Sequence, residues 1–522
     1  MRTLCAKITS RRHDFLRLIR MPLKFEIYRD GQRVNTYEPI AATAVGPESV
    51  PIPGDVVFRD GLLIVSRLDE GAAGVTLLWD CGPIGQFMLE TTRLQQREAP
   101  YVLNVELVRF RLMKIIQKQE DWNLFDFPKA EKYTKSLKDA QMLFAQALGK
   151  MDTPGEAAQI ADQALSVVID LSEQLALFHA DLLIQRRRAS GAFVKHIFGC
   201  RAEPAIRGER YKEVMATQFD YAILPMTWKK MQPTEQAFVT EEVDAWIEYL
   251  SKKRIPIIGG PLVCLDDAHV PDWAFIFEND FDTLREMAYE YVHKVAHRYR
   301  KAIAMWNVCA GLHKRGSFGL TFEQTIELTR LLVSQVKTII PGARTLITIT
   351  HAFGEYNAKG PNRVPPMLYA EMVTQAGISF EAFGLELEMG VPAAGHFTRD
   401  LFQLSCLLDK FSTLGRPVFL TGICAPGRST PDPADASDGK LDPSRGGRWH
   451  RPWDSKLQAD WMEAVYHLAL SKPYVESIAW ANLADLHPTL PGGGLLDDSL
   501  QPKPSFTKLQ EMREKFKSYS KR

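Results

Sequence analysis

The chain has 522 residues, with 64 Lys+Arg against 63 Asp+Glu, for a formal net charge of +1. That balance gives no electrostatic reason to expect nucleic acid or an anionic membrane as partner, and no run approaches the roughly 18–20 apolar residues of a membrane span. Hydrophobic residues at 45% and charged residues at 24% mark a globular chain long enough for several domains, while seven Cys, an odd number, exclude a disulfide scaffold.

Residues 1–20 are basic: Arg2, Lys7, Arg11, Arg12, Arg17 and Arg20 face a single acid, Asp14. They hold no continuous apolar core of the kind a secretory signal needs. A cytoplasmic setting is therefore the default expectation. The segment reads as an amphipathic targeting leader or as sequence preceding a later start at Met21, where MPLKFEIYRDG begins a strand and a turn.

Residues 21–98 read as a small β domain. LKFEIYRDGQRV and VVFRDGLLIV each set an Asp-Gly between apolar runs, and Asp-Gly suits the positive φ angles of a two-residue hairpin turn. GVTLLWDCG and GQFMLETTRL add further strands. Over residues 99–191 the period lengthens to three and four in LNVELVRFRLMKIIQKQ, EKYTKSLKDAQMLFAQAL and the long stretch from Pro154. These predict helices, with Pro154 at a first position where its missing N–H is harmless.

From 192 to 517 apolar strands alternate with amphipathic stretches. The strands are VKHIFGC (194–200), FDYAILP (219–225), PIIGGPLVC (256–264), AIAMWNVC (302–309), RTLITIT (344–350), FEAFGLELE (380–388), PVFLTGIC (417–424) and SIAWANL (477–483). Parallel strands need helical crossovers, so the expected fold class is α/β, a (β/α)8 TIM barrel at the C-terminal side, preceded by the small all-β domain and the helical connecting segment. Its active face would lie at the strand C-terminal ends. The polar stretch 426–455 after the seventh strand is long enough to be functional or disordered.

The motifs in order resemble glycoside hydrolase family 10, mostly endo-β-1,4-xylanases. WANLADLHPTLPGGGLLDDSLQPKPSFTKL (480–509) resembles the family's eighth strand and following loop, FDYAILPMTWKKMQP (219–233) its second strand and Met-Lys-Trp segment, PIIGGPLVCLDDAHVPDW (256–273) its third, MWNVCAGL (305–312) its fourth, and FGLELEMG and VFLTGICAP its sixth and seventh. The resemblance implies a retaining glycosidase, whose two carboxyl groups, acid/base and nucleophile, stand about 5–5.5 Å apart. Both are replaced here. Aligning Trp306 with the Trp of the family's Trp-Asp-Val-Val-Asn-Glu run puts Gly311 at the acid/base position, and a one-residue shift puts Ala310 there; LTGIC puts Gly422 at the nucleophile position. The third-strand His is also absent, with Gly259-Gly260-Pro261-Leu262 in its place.

Glu386 and Glu388 stand two apart on a strand, so they share a face with Cα atoms about 6.6 Å apart. With Gly384 they face the barrel axis if Phe383, Leu385 and Leu387 face the helices. They are the alternative catalytic pair; sugar or cation binding and structural pairing with Lys or Arg are equally open to them. Glu355 and His351 are further polar groups near the fifth strand's end. The resemblance implies substrate binding by Lys229, Trp306, Trp480 and Asp485, and Trp228, Trp273, Trp449 and Trp453 also fall at or after strand ends. Cys200, Cys264, Cys309 and Cys424 end four strands and, if all inward, could approach one another; without Cys-x-x-Cys spacing no metal and no cofactor is expected. The expected partner is a neutral oligo- or polysaccharide of the xylan type. The function implied is glycan binding with lost or non-standard catalysis; hydrolysis through Glu386 and Glu388, or use of the barrel as an interaction scaffold, are the alternatives.

Overall fold

The computed structural model describes residues 22–520 except 68–70, 125–130, 194–196, 315–317 and 361–362. The basic leader lies outside the described residues, as do the first three residues of the expected strand at 194–200. The chain divides into two compact units, one of residues up to Gly82 with Met88–Leu171, the other of Pro83–Phe87 with Ser172 onward.

In the first unit both Asp-Gly hairpins form. Tyr28–Arg29 pairs with Gln32–Arg33, and Gly54–Arg59 with Leu62–Arg67. Asp30 and Gly31 have φ of 49° and 75°, Asp60 and Gly61 of 54° and 72°, the paired positive angles of a type I′ turn. Leu23–Glu26 lies between Leu62–Arg67 and Tyr101–Val102, antiparallel to the first and parallel to the second. Leu103–Asp121 and Glu131–Gly149 are helices, and a third begins at Pro154 as expected.

One buried side chain joins hairpin to helices. Asn104, fully buried, accepts from the Tyr28 N–H at 3.2 Å and donates to the Tyr28 carbonyl at 3.0 Å and to the Asp162 carboxylate at 2.9 and 3.0 Å. Burial pushes the Asp162 carboxyl up to about 6, against the pull of Asn104. Asn104→Ala leaves a buried amide and carbonyl unpaired, so the first unit loses about 2 kcal/mol. Hydrogen exchange at the Tyr28 amide checks this: its protection falls about 30-fold in the variant, and unchanged protection refutes the role.

In the second unit, and among the described residues, eight parallel strands close into a barrel in sequence order: Phe198–Arg201, Tyr221–Leu224, Ile257–Gly259, Met305–Ala310, Thr345–Ile349, Ala382–Glu388, Val418–Cys424 and Val475–Trp480. The eighth pairs with the first. A helix follows each, from Glu209–Gln218 to Pro504–Ser520. Local sequence sets their starts: Thr321 and Asp400 each form a capping box with the Gln three residues on, Gln324 and Gln403, satisfying two N–H groups that no helix turn can reach.

The interior is filled by Tyr221, Ile223, Ile258, Met305, Leu346, Ala382, Phe419 and Ala479. Side chains alternate along a strand, so these residues fix which neighbours face the helices. Cys200 lies one residue beyond Gly199, whose side faces the Tyr221 ring, and Trp306 and Trp480 follow interior Met305 and Ala479.

The loop after the seventh strand is ordered by its own acids. Asp435 accepts from the Ser437 and Gly439 amides, and Asp432 accepts from the Gly492 amide at 3.0 Å, tying this loop to the one after the eighth strand. Buried Glu173 accepts from Trp449 Nε1 and the Leu401 amide, both at 2.9 Å.

Candidate functional site

The C-terminal ends of the strands carry a charged cluster on the barrel axis. Ala382 faces inward, and period two carries Gly384, Glu386 and Glu388 inward with it, while Phe383 packs against Phe411 of the outer helix Leu401–Ser412. Opposite them stands Arg201, which ends the first strand and pairs across it with interior Ile223. Its Nη2 lies 3.4 Å from Glu388 Oε1 and 3.9 Å from Glu386 Oε1. Burial works against the Arg201 charge, yet the two glutamates outweigh it and the guanidinium pKa is raised. Glu386 moves the other way from an ordinary carboxylate: burial raises its pKa, Arg201 opposes this, and Glu388 adds to it.

Gly422 sits beside Glu386 in the strand register. A Cβ built there would overlap the Arg201 guanidinium and lie 3.5 Å from Glu386 Cγ. The space a side chain on Gly422 would enter is therefore taken by an arginine arriving from the first strand. Gly311, at the end of the fourth strand, has φ of 65°, and a Cβ on it would lie 2.7 Å from Thr350 Oγ1 and 3.0 Å from Lys314 Cε. A side chain there meets both left-handed strain and a filled space.

A histidine pair closes one side. His351, at the end of the fifth strand, has φ of 50°, a conformation costing a non-glycine residue of order 1 kcal/mol. Its Nε2 is 3.3 Å from Nε2 of His396, and His396 Nδ1 is 3.7 Å from Glu388 Oε2. Burial lowers His351 to about 2 and His396 to about 4. Glu355, behind them, accepts from the Gly395 amide and pairs with Arg399. On the far side Asp266 pairs with His269 and, at 3.6 Å, with Lys314; burial alone would raise its pKa, but these partners bring it to about 2.

The expected sugar-stacking residues do not reach this space. Trp306 and Trp480 are 1% and 0% exposed. They point away from the axis because Met305 and Ala479 hold the interior positions, and Trp480 packs toward Tyr466 with its Nε1 donating to the Gly493 carbonyl at 2.8 Å. Trp228, Trp449 and Trp453 are buried too, and half-buried Trp273 packs edge-on to Trp228. Lys229 lies at the rim, bonded to exposed Asp272 at 2.5 Å. Asp485 accepts from Lys503 at 2.9 Å and from the Gly494 amide at 2.6 Å, holding the loop after the eighth strand. Of the strand-end cysteines, Cys309 meets Tyr369 of an outer helix and lies beside Cys264, buried Cys200 shares the Trp480 side of the sheet, and Cys424 lies 3.5 Å from the Gly493 carbonyl. Among the described residues no group of three His, Cys, Asp or Glu could hold a metal, and no helix is long and apolar enough to cross a membrane.

Sequence reasoning missed Arg201, His396, Lys314 and Asp266. Arg201 alone had a readable signal, a charge at the C-terminal end of an apolar strand.

A model of glycosyl hydrolase family 10 matches residues 186–321, from before the first barrel strand to beyond the fourth. Xylanase 10B from Thermotoga maritima is similar at 15% identity over 65% of this chain and 99% of its own, with a TM-score of 0.47. Xylanase 10B from Thermotoga petrophila RKU-1, in complex with xylobiose, is similar at 15% over 63% and 97%, TM-score 0.47. A GH10 structure from Paenibacillus barcinonensis gives 16%, 63%, 97% and 0.46. No curated protein matches the chain. The barrel itself rests on the closed strand order, and the family-10 similarity on the matched segment, which contains Gly311 but not Gly422.

Proposed function

We propose that this protein binds a β-1,4-linked, xylan-type glycan in the barrel mouth and does not hydrolyse it by the retaining mechanism. The observation that carries this reading is the Arg201 guanidinium seated where a side chain on Gly422 would stand. Retaining hydrolysis needs carboxyl groups on both sides of the scissile bond. Glu386 and Glu388 come from one strand and meet the same guanidinium, so they address a ligand from one side only. What remains is a cluster of hydrogen-bond donors and acceptors at the C-terminal ends of the strands, where (β/α)8 barrels place their ligand sites. The family-10 similarity of residues 186–321 supports a sugar as that ligand.

Two measurements on the full chain test this. Calorimetric titration with xylohexaose is expected to give a Kd in the micromolar range, and a reducing-end assay on xylan is expected to show no release above blank. Robust hydrolysis by the wild-type chain overturns the loss of catalysis. Absence of binding to xylo-, cello- and manno-oligosaccharides overturns the glycan reading.

A further inference from the structure

Arg201 and Glu386 form an incomplete pair. Their closest atoms, Nη2 and Oε1, are 3.9 Å apart, beyond direct hydrogen bonding. Among the described residues no donor reaches the Glu386 carboxyl, and only Nη2 of Arg201 makes a side-chain hydrogen bond, to Glu388. Both side chains keep surface open to the mouth, 21% for Arg201 and 23% for Glu386. A guanidinium with N–H groups bonded to no described residue faces, across a gap, a carboxyl that likewise bonds to none. One oxygen placed about 2.8 Å from each atom fits it, accepting from the arginine and exchanging a hydrogen bond with the glutamate.

The other mouth charges are matched. Glu355 has Arg399, Asp266 has His269 and Lys314, and Glu388 has Arg201. Burial disfavours the charge on Glu386, so an incoming carboxylate meets glutamates and an incoming ammonium meets Arg201 and Lys314. The unmet hydrogen-bonding capacity is that of a hydroxyl.

We infer that Arg201 and Glu386 act together as a clamp that reads a hydroxyl of an uncharged sugar ring and sets the preference for neutral over charged glycans. The inference rests on the glycan-binding reading and specifies its ligand class. Arg201 is matched to no group by the family-10 resemblance, and the clamp uses the space left by the glycine at 422.

The test is calorimetry on the full chain with three probes: xylohexaose, a glucuronic acid-substituted xylo-oligosaccharide, and a glucosamine hexamer. Wild-type protein is expected to bind xylohexaose at least tenfold more tightly than either charged probe. Glu386→Gln, which keeps size, and Arg201→Lys, which keeps charge, are each expected to weaken xylohexaose about tenfold, with melting temperatures showing that both variants fold. The double variant is expected to lose little more than either single one, because both groups hold one hydroxyl. If xylohexaose binds and folded variants match wild type, or a charged probe binds best, the clamp is wrong and the glycan reading stands. If no probe binds the wild-type chain, both fall.

Discussion

Glutamate at position 422 is expected to damage this protein and to confer no hydrolysis. The new Cβ overlaps the Arg201 guanidinium, and overpacking of this kind costs about 1–3 kcal/mol. If Arg201 swings out to relieve it, Glu386, Glu388 and the new carboxylate share one partly buried space without their cation. Leaving a buried charge unpaired costs about 3–5 kcal/mol. Gly422→Glu should therefore lose about 1–3 kcal/mol by the first route or about 3–5 kcal/mol by the second, and Gly311→Glu about 2 kcal/mol from its left-handed backbone and the Thr350 contact. The double variant should release no reducing sugar from xylan. Urea unfolding and a reducing-end assay check both statements. A stable Gly422→Glu variant with unchanged Arg201 refutes the packing argument, and xylan hydrolysis by the double variant refutes the loss of machinery.

Acid should unfold the barrel unit early. His313, His351 and His396 are held neutral, their pKa values lowered by burial to about 3, 2 and 4. His313 is fully buried, with Nε2 bonded to the Thr350 carbonyl at 2.9 Å. In the unfolded chain each titrates near 6.5. Below that value and above its folded pKa, each histidine is protonated in the unfolded chain and neutral in the folded one. The unfolded state then binds more protons, so stability rises with pH across this window and is lost as pH falls. Each group contributes up to about 1.4 kcal/mol per pH unit, and three together roughly 4 kcal/mol per unit below about pH 6. Glu386 acts in the opposite sense: its raised pKa returns some stability in the carboxylate range. Unfolding free energies at pH 7.5, 6.5, 5.5 and 4.5 check the slope, and His313→Gln should remove about a third of it. A flat profile between pH 6 and pH 5 rules out the buried neutral histidines.

How much of this was legible depends on the range of the interaction. Two Asp-Gly turns, Pro154 at a helix start and the capping residues Thr321 and Asp400 act over two to four residues, and the one-letter sequence displays them directly. All eight barrel strands could be read from short apolar runs between amphipathic stretches, because a strand buried on both faces needs apolar residues on both. The inward direction of Glu386 and Glu388 followed from alternation along one strand. Trp306 and Trp480 show the limit of that approach: a run apolar on both faces does not say which residue faces the axis, and Met305 and Ala479 decide it by filling the interior.

By itself, then, the sequence determined the strand-helix alternation, the closed parallel barrel it demands, and the absence of carboxylates at Gly311 and Gly422. Only the tertiary structure decided what fills the places they would occupy. Arg201 and Glu386 are 185 positions apart in the chain, and closure of the barrel sets them 3.9 Å apart. Placing the first strand's end opposite the sixth is a property of eight strands paired in a ring, and no local pattern of residues encodes that distance.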